Sequence, residues 1–474
     1  MRLLFFVGLI VISPLLLKAQ ISDNFYLNIN SLFHGEKLKQ TDNLSKYESI
    51  YLEHYTNYYH LISFQSVNDY NKFQIVEEQL FNQLNQQKAS QTIEEIKLNM
   101  MLHQVIVEAI FAHNLQAAFN LYRLNKQNQA LLAKYPLSVE GQKTSAILNI
   151  ILSQTPSEYR FWSNLVGLEG NLDEGFNQLK SLNQKLNNPM GKQIELVLYE
   201  SFLQFRFSKN SNAYFLDFNK QDHLLSYPPV LYIAYLGAIK NKIQIDKLNI
   251  LSTTQSFPLL NYAKGKYYLN HLNTLCINEF ETYRKNFQGE AFKTDTYLRL
   301  AWNYLIANDT MNAYEMHKNA SSSSAELTSS DKQAKEELLT LKNTPVLLIK
   351  SRLLYDAGDY FRSLAVINSM EQKCLINKTL KQQYYYQKAR IQESLQLTTE
   401  ALINYQLSLS YQENHSKSYY GTMASICIAQ IYISKKEPDK AGFYLQIANK
   451  YNTNSYKSDF DSQIKDLQSH LSAE

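Results

Sequence analysis

The sequence predicts an all-α fold, an α-α superhelix, or solenoid, built from antiparallel helix pairs. Apolar residues recur at helical spacing along most of the 474 residues, and the alternating pattern of β-strands is almost absent. Only 13 glycines and 9 prolines interrupt this length, which favours long helices. Near the C-terminal end a pattern of small and aromatic residues repeats. Repeated helix pairs bury their apolar faces by stacking on their neighbours.

The first twenty residues have the pattern of a secretory signal peptide. Arg2 precedes an apolar run over residues 3–17, which is too short for a good membrane span. We expect cleavage after Ala19, so that residues 1–19 are removed and the mature chain is exported to the periplasm or cell envelope. No cysteine immediately follows this point, and no later segment is apolar for long enough to cross a bilayer. The mature chain is therefore expected to be soluble, with no transmembrane segment.

Charge and cysteine content narrow the possible classes further. Removing the signal lowers the formal charge from +4 to about +2, so nothing recruits nucleic acid and we expect no such partner. Cys276, Cys374 and Cys427 are odd in number and widely spaced, each in an apolar helical context. We expect them to pack as small hydrophobic residues rather than to form a disulfide.

An N-terminal helical region is predicted over residues 20–155. Residues 25–134 divide into four or five long helices, and Thr92 with Glu95 has the spacing of a capping box at one helix start. The stretch 100–111 is apolar nearly all round, which predicts a place deep in the core.

A central region of helix pairs follows over residues 156–293. A capping side chain precedes proline at three predicted helix starts, Thr155-Pro156, Asn188-Pro189 and Thr344-Pro345, the last of them in the next region. Helices are expected at residues 156–168, 172–186, 189–207, 229–240 and 258–270. Asn171 with Glu174 predicts another cap. We interpret Gly167, Gly170 and Gly175 as a helix stop and a close helix crossing, because no phosphate-binding motif surrounds them.

The clearest repeats lie in the last region, residues 294–474. Each copy places a small residue and often an aromatic one in a first helix, then an early small residue in a second helix. The copies contain Ala301, Tyr304 and Ala313; Ser351, Leu354, Gly358, Tyr360 and Ser363; Ala389, Ala401 and Tyr405; and Ala429, Tyr432 and Ala441. A Ser-rich stretch, residues 319–330, separates the first two copies. We expect it to form an exposed loop that leads into an extra helix over residues 331–341.

This repeat pattern resembles the tetratricopeptide repeat family, in which small residues let paired helices approach and aromatic residues fill the gaps between units. The copies are longer than the usual 34 residues of that family, and the proline that closes each unit is missing. A second segment, Trp162-Ser-Asn-Leu-Val-Gly167-Leu-Glu-Gly170-Asn-Leu-Asp-Glu-Gly175, is similar to the core segment of the tetratricopeptide-39 / inclusion-body-clearance type of helical-repeat protein. Both resemblances imply a TPR-like solenoid.

Catalytic and metal-binding motifs are not found in the sequence. His54 and His60 are six positions apart, a poor spacing for two ligands on one helical face, and Tyr51, Tyr55 and Tyr58 read as a packing stripe. No nucleophile elbow, paired-cysteine motif or kinase signature occurs. We therefore expect no enzyme activity, no cofactor and no metal.

Binding by the solenoid is the function that this architecture favours. The repeat register places Arg352, Tyr355, Tyr386, Arg390, Glu393 and Gln430 on the first helices, facing a groove suited to an extended peptide or a partner helix. We expect a non-catalytic scaffold for protein-protein interactions in an envelope complex. The alternative is a glycan-binding helical protein of an envelope nutrient-uptake system, suggested by the 35 tyrosines and the export signal.

Overall fold

The computed structural model of the chain describes residues 21–39, 41–154, 169–185, 189–208, 222–244, 256–341, 344–371, 375–413, 417–452 and 457–473. In these residues every regular element is helical and none is a strand, which confirms the predicted all-α fold. The signal peptide, the Thr155-Pro156 start, the helix over residues 156–168 and Cys374 fall outside this part of the chain.

The described residues contain 21 α-helices and two 3₁₀-helices, Thr41–Asn43 and Asp222–Ser226. The α-helices are α1 (Asp23–His34), α2 (Lys46–Phe64), α3 (Val67–Asn85), α4 (Gln91–Ile110), α5 (Asn114–Lys134), α6 (Val139–Ser153), α7 (Leu172–Lys185), α8 (Met190–Phe207), α9 (Pro228–Asn241), α10 (Leu259–Asn270), α11 (Leu275–Asn286), α12 (Lys293–Ile306), α13 (Thr310–Ser322), α14 (Ser329–Leu341), α15 (Val346–Asp356), α16 (Tyr360–Asn368), α17 (Lys378–Ser394), α18 (Thr398–Ser410), α19 (Tyr419–Ser434), α20 (Pro438–Tyr451) and α21 (Lys457–Ala473). Neighbouring helices pack as adjacent antiparallel pairs, as the sequence predicts.

Helix starts agree only in part with the predicted capping residues. The capping box at Thr92 is wrong, because Ser90 is the N-cap of α4 and its hydroxyl accepts from the amide of Ile93. The Asn171 cap is confirmed, since its side-chain oxygen accepts from the amide of Glu174 at 3.1 Å. Pro189 and Pro345 are N-cap residues rather than first helical residues, so their helices begin one residue later than expected.

The Ser-rich stretch is shorter as a loop than the sequence suggests. Helix α13 continues to Ser322, because the hydroxyls of Ser321 and Ser322 bond back to carbonyls one turn earlier instead of competing for a turn. The extra helix is confirmed as α14, which begins at Ser329 and packs on α12 and α13. The predicted loop is therefore confined to residues 323–328.

The helices fall into two compact units. Among the described residues the first unit holds residues 21–208, 222–230 and 256–257, and the second holds residues 231–244 and 258–473. In the first unit α1 packs on α2 and α8, α2 on α3 and α4, and α6 on α4, α5 and α7. Gly175 of α7 crosses close to α6, where an added Cβ would lie 2.7 Å from the carbonyl oxygen of Ala146. This confirms the predicted close crossing.

The second unit is a succession of helix pairs. The pairs are α10 with α11, α12 with α13, α15 with α16, α17 with α18, and α19 with α20. The first helix of each pair also contacts the first helix of a neighbouring pair: α10 contacts α12 and α15, α12 contacts α15, α15 contacts α17, and α17 contacts α19. The first helices therefore form one layer of this unit, and α14 is inserted after the second pair.

The same turn recurs at the C-terminal end of several helices in the part of the chain that the structure describes. The helix is followed by a residue in the left-handed conformation, with φ between 54° and 62°, or 83° at Gly358. The amide of the residue after it donates to the carbonyl five positions earlier, near the end of the helix. This left-handed residue is Ala112, Lys242, Leu272, Asn308, Gly358, Gln396 or Lys436. Seven positions before five of these residues stands a small residue, namely Gly265, Ala301, Ser351, Ala389 and Ala429. The repeat thus includes a copy at α10 that sequence reasoning missed.

The small residues set how closely the paired helices approach. Ala301, Ala389 and Ala429 are fully buried, and the hydroxyl of Ser351 bonds to Ser363 of the second helix at 3.1 Å. An added Cβ at Gly265 would lie 2.7 Å from the ring of Phe280 on α11. Cys276 and Cys427 are buried and unbridged, as expected, and burial raises the pKa of each thiol to about 12.

Candidate functional site

The predicted groove residues lie in the second unit, and three of them come together. The Arg390 guanidinium on α17 donates to the Asp356 carboxylate at 3.0 Å and lies 3.7 Å from the centre of the Tyr355 ring. The Arg352 guanidinium, one helical turn before Asp356, donates to Glu337 of α14 at 2.8 Å. Arg352, Tyr355 and Arg390 are all half-buried and are linked across neighbouring first helices.

The other three predicted residues have different surroundings. Tyr386 differs from the expectation, because it is 3% exposed and packs in the core with Ala389 and Tyr405. Glu393 is half-buried and accepts a hydrogen bond from the Tyr405 hydroxyl at 2.6 Å. Gln430 is exposed on α19. The six predicted residues therefore include a core residue, four half-buried residues and one exposed residue.

Lys242, which sequence reasoning missed, completes a cluster around Tyr355. Its ammonium lies 3.4 Å from the centre of the Tyr355 ring, and these two short distances place Lys242 and Arg390 on opposite faces of the ring. The Lys242 carbonyl also approaches the turn at Gly358 closely, and an added Cβ there would overlap that oxygen. We call Lys242, Glu337, Arg352, Tyr355, Asp356 and Arg390 the Tyr355 cluster.

Equivalent positions of the repeat form a wider surface. The residue after each small residue is Lys266, Trp302, Arg352, Arg390 or Gln430, one from each first helix. The Trp302 ring has Arg299 at 4.3 Å and Arg352 at 5.0 Å from its centre, which joins α12 to α15. We call these five residues, with Arg299 and Tyr355, the first-helix face. The turn geometry aligns all five copies, whereas the sequence pattern alone located four and missed the one at α10.

The ion pairs on this face are unequal in burial. Asp295 is fully buried and accepts from Arg299 at 2.9 Å and from the Tyr262 hydroxyl at 2.8 Å. Burial alone would raise the pKa of Asp295, but Arg299 and Lys266 lower it below its usual range. Burial, together with the charge of Arg390, lowers the pKa of Lys242 to about 8.

A second charged cluster lies in the first unit and was not predicted. Lys143 of α6 is fully buried between Glu140, at 2.6 Å, and Glu195, at 3.3 Å. Lys192 of α8 also pairs with Glu140, and Asn99 donates to the same carboxylate at 3.0 Å. Burial would raise the pKa of Glu140, but the two lysines hold it well below its usual range.

Two buried histidines extend this cluster of the first unit. His54 Nδ1 lies 2.5 Å from the Glu77 carboxylate, and its Nε2 lies 2.8 Å from His103 Nδ1. His103 stacks on Tyr58, and burial with the neighbouring His54 lowers its pKa well below its usual value. The stretch 100–111 is therefore not uniformly apolar inside the protein. His103 and Glu108 are as buried there as Leu102 and Val107.

The tyrosines provide few exposed rings. Among the tyrosines that the structure describes, Tyr122 and Tyr314 are exposed, and the others are buried or half-buried. Tyr51, Tyr55 and Tyr58 all lie in the core of the first unit, which confirms the packing stripe. The hydroxyl of Tyr55 donates to Glu195 at 3.0 Å.

Within the described ranges no three His, Cys, Asp or Glu side chains are grouped as metal ligands would be. In the same ranges no helix combines the length and the apolar character that crossing a membrane requires. No model of a known protein family matches the chain, and neither does any curated protein. The structure therefore defines a class, an all-helical protein of stacked antiparallel helix pairs, and no narrower family is shown.

Proposed function

We propose that the chain is an exported, TPR-like, non-catalytic scaffold that binds a protein or peptide partner in the periplasm or cell envelope through the first-helix face. The observation that carries this proposal is the alignment of Lys266, Trp302, Arg352, Arg390 and Gln430 at one position of five successive copies. Such a column presents one side chain from each first helix. An extended partner would meet the guanidinium groups of Arg352 and Arg390 and the amide of Gln430. Trp302 is 3% exposed and packs against the arginines from within.

The chemistry of these side chains suits protein recognition. Arginine, tryptophan and tyrosine contribute most to binding when they are partly desolvated, and here they are half-buried or buried before any partner arrives. Their ion pairs and ring contacts hold the side chains in place, so little rotamer entropy remains to be lost on binding. The tyrosine excess gives the glycan-binding alternative little support, because only Tyr122 and Tyr314 are exposed among the described tyrosines.

Site-specific photocrosslinking tests the proposal. A photoreactive phenylalanine analogue replaces Gln430 on the first-helix face or, as a matched control, Lys440 on the second helix α20; both positions are exposed. In extracts of the cell envelope we expect a discrete crosslinked protein from position 430 and none of the same mass from position 440. The same crosslinked proteins from both positions would contradict a role for this face.

A further inference from the structure

We propose that the Tyr355 cluster is a binding site for the carboxylates of an acidic peptide segment of the partner. This inference rests on the proposed function and specifies the chemistry of what binds. The cluster brings three cations, Lys242, Arg352 and Arg390, to only two carboxylates, Glu337 and Asp356. Among the described residues, one positive charge is therefore left without a carboxylate in a partly desolvated place.

The uncompensated charge belongs to Lys242. Arg352 pairs with Glu337 at 2.8 Å and Arg390 pairs with Asp356 at 3.0 Å, whereas no carboxylate of the described residues lies within 4.0 Å of the Lys242 ammonium. Lys242 is half-buried, and its lowered pKa shows that the surroundings disfavour its charge. A bound carboxylate would supply the missing counter-charge.

Arg390 also has an unsatisfied hydrogen-bond donor. Its terminal nitrogen is engaged by Asp356, but its Nε is buried and has no hydrogen-bond partner among the described residues. A buried donor without an acceptor is costly, and a carboxylate that reoriented the guanidinium would offset this cost. Since Lys242 and Arg390 lie on opposite faces of the Tyr355 ring, a single small anion cannot contact both at close range. A segment with more than one carboxylate fits this geometry better.

The repeat register indicates how such a segment would continue. From the Tyr355 cluster the first-helix face extends through Arg352 to Trp302 and Arg299 on one side. On the other side the aligned position is Gln430, which is exposed and uncharged. We therefore expect the acidic residues of the segment to lie at the Tyr355 cluster and a neutral polar residue to lie at Gln430.

The test measures peptide binding to the full mature chain by fluorescence anisotropy. The probe is a fluorescein-labelled peptide of alternating Glu and Ala, and the comparison peptides replace each Glu by Gln or by Lys. We expect the Glu peptide to bind at least about tenfold more tightly than the Gln peptide, and more tightly than the Lys peptide. We also expect its affinity to fall as the salt concentration is raised. Equal binding of the Glu and Gln peptides, stronger binding of the Lys peptide, or no binding would overturn the inference.

Lys242→Met locates the site, with Lys440→Met on α20 as the matched control. Methionine keeps the length of the side chain on the Tyr355 ring and removes only the charge, and no carboxylate is orphaned. We expect Lys242→Met to weaken the Glu peptide about tenfold with an unchanged or higher Tm, and Lys440→Met to leave binding unchanged. Equal losses in the two variants would overturn the inference. A crosslink at position 430 without any preference for the Glu peptide would leave the proposed function standing and remove only the acidic ligand.

Discussion

Lys143 in the first unit and Lys242 in the second are both removed from much of the surrounding water, but their partners differ. Lys143 is fully buried between two carboxylates, Glu140 and Glu195. Lys242 is half-buried on the Tyr355 ring with no carboxylate of the described residues in contact. A buried lysine that is paired on both sides holds helices together, whereas one left unpaired at a helix end is available to a ligand.

The two units also differ in where their charges lie relative to the packing. In the first unit the charges of α6 and α8 are in the core, among Asn99 and the buried tyrosines. In the second unit the contacts within a pair are made by small and apolar residues such as Ala389, Ala401 and Ile428, and the charges lie to one side of them. Charge is thus structural in the core of the first unit. In the second unit the Asp295–Arg299 pair is also buried, but the charges around Tyr355 are only half-buried.

Lys143→Met should produce the largest effect. It leaves the Glu195 carboxylate buried without its lysine and removes one of the two lysines on Glu140, so we expect the free energy of unfolding to fall by about 3–5 kcal/mol. Denaturant unfolding followed by circular dichroism measures this loss. The control, Lys134→Met, removes an exposed lysine that pairs with Glu94 at 2.6 Å and should leave unfolding unchanged. Equal effects would show that Lys143 is not a structural charge.

Gly265→Ala tests whether the second unit depends instead on close packing within pairs. The added methyl would lie 2.7 Å from the Phe280 ring, which is fully buried and cannot move freely, and we expect a loss of about 1–3 kcal/mol. The control is Gly442→Ala on α20, where nothing lies within 4 Å of the added Cβ. Because alanine favours a helix over glycine, the control should gain about 0.5–1 kcal/mol. A gain at both positions would contradict the role of the small residues.

Sequence reasoning succeeded where local patterns determine the structure. Helical periodicity predicted the fold. The small residues Ala301, Ala389 and Ala429 marked the packed face of the first helices, because only a small side chain lets the paired helix approach closely. The copy at Gly265 was missed because its partner, Phe280, is recognised only when α10 and α11 are packed. Tyr386 was predicted to face the groove but lies in the core. Residue spacing defines the direction of a helical side chain only to within about one residue, and a shift of one residue can move a side chain from the surface to the core.

The charged clusters could not be predicted for a different reason. Their members are far apart in the chain: His54 meets Glu77 and His103, and Lys242 meets Tyr355 and Arg390. No short sequence motif predicts these contacts, because they depend on how whole helices pack. For Lys242 a local signal did exist. It occupies the left-handed position of the recurring turn, and that turn is recognised from backbone geometry rather than from residue type.

Acid should weaken the first unit before the second. The pKa of His103 is lowered by burial and by His54, so below about pH 6.5 the unfolded chain takes up a proton that the folded chain does not. We therefore expect the stability of the first unit to fall as the pH drops below 6.5, by up to about 1.4 kcal/mol per pH unit. Amide hydrogen exchange in α4, compared with α15, measures this. His103→Gln should flatten the dependence and His60→Gln, at an exposed position, should not; identical profiles would exclude His103 as the cause.

The smallest effect is expected at Lys242, where the sign is reversed. Its folded-state pKa of about 8 lies below the usual 10.5, so its charge opposes folding at pH 7 and this cost disappears as the pH rises from 8 to 10.5. Lys242→Met removes the cost at every pH, and solvent screening of the half-buried group limits the gain at pH 7 to the order of 1 kcal/mol. The difference between variant and wild type in the unfolding free energy should therefore shrink between pH 8 and 10.5. A variant less stable than wild type at pH 7 would mean that Lys242, like Lys143, is a structural charge, and the contrast between the two lysines would fail.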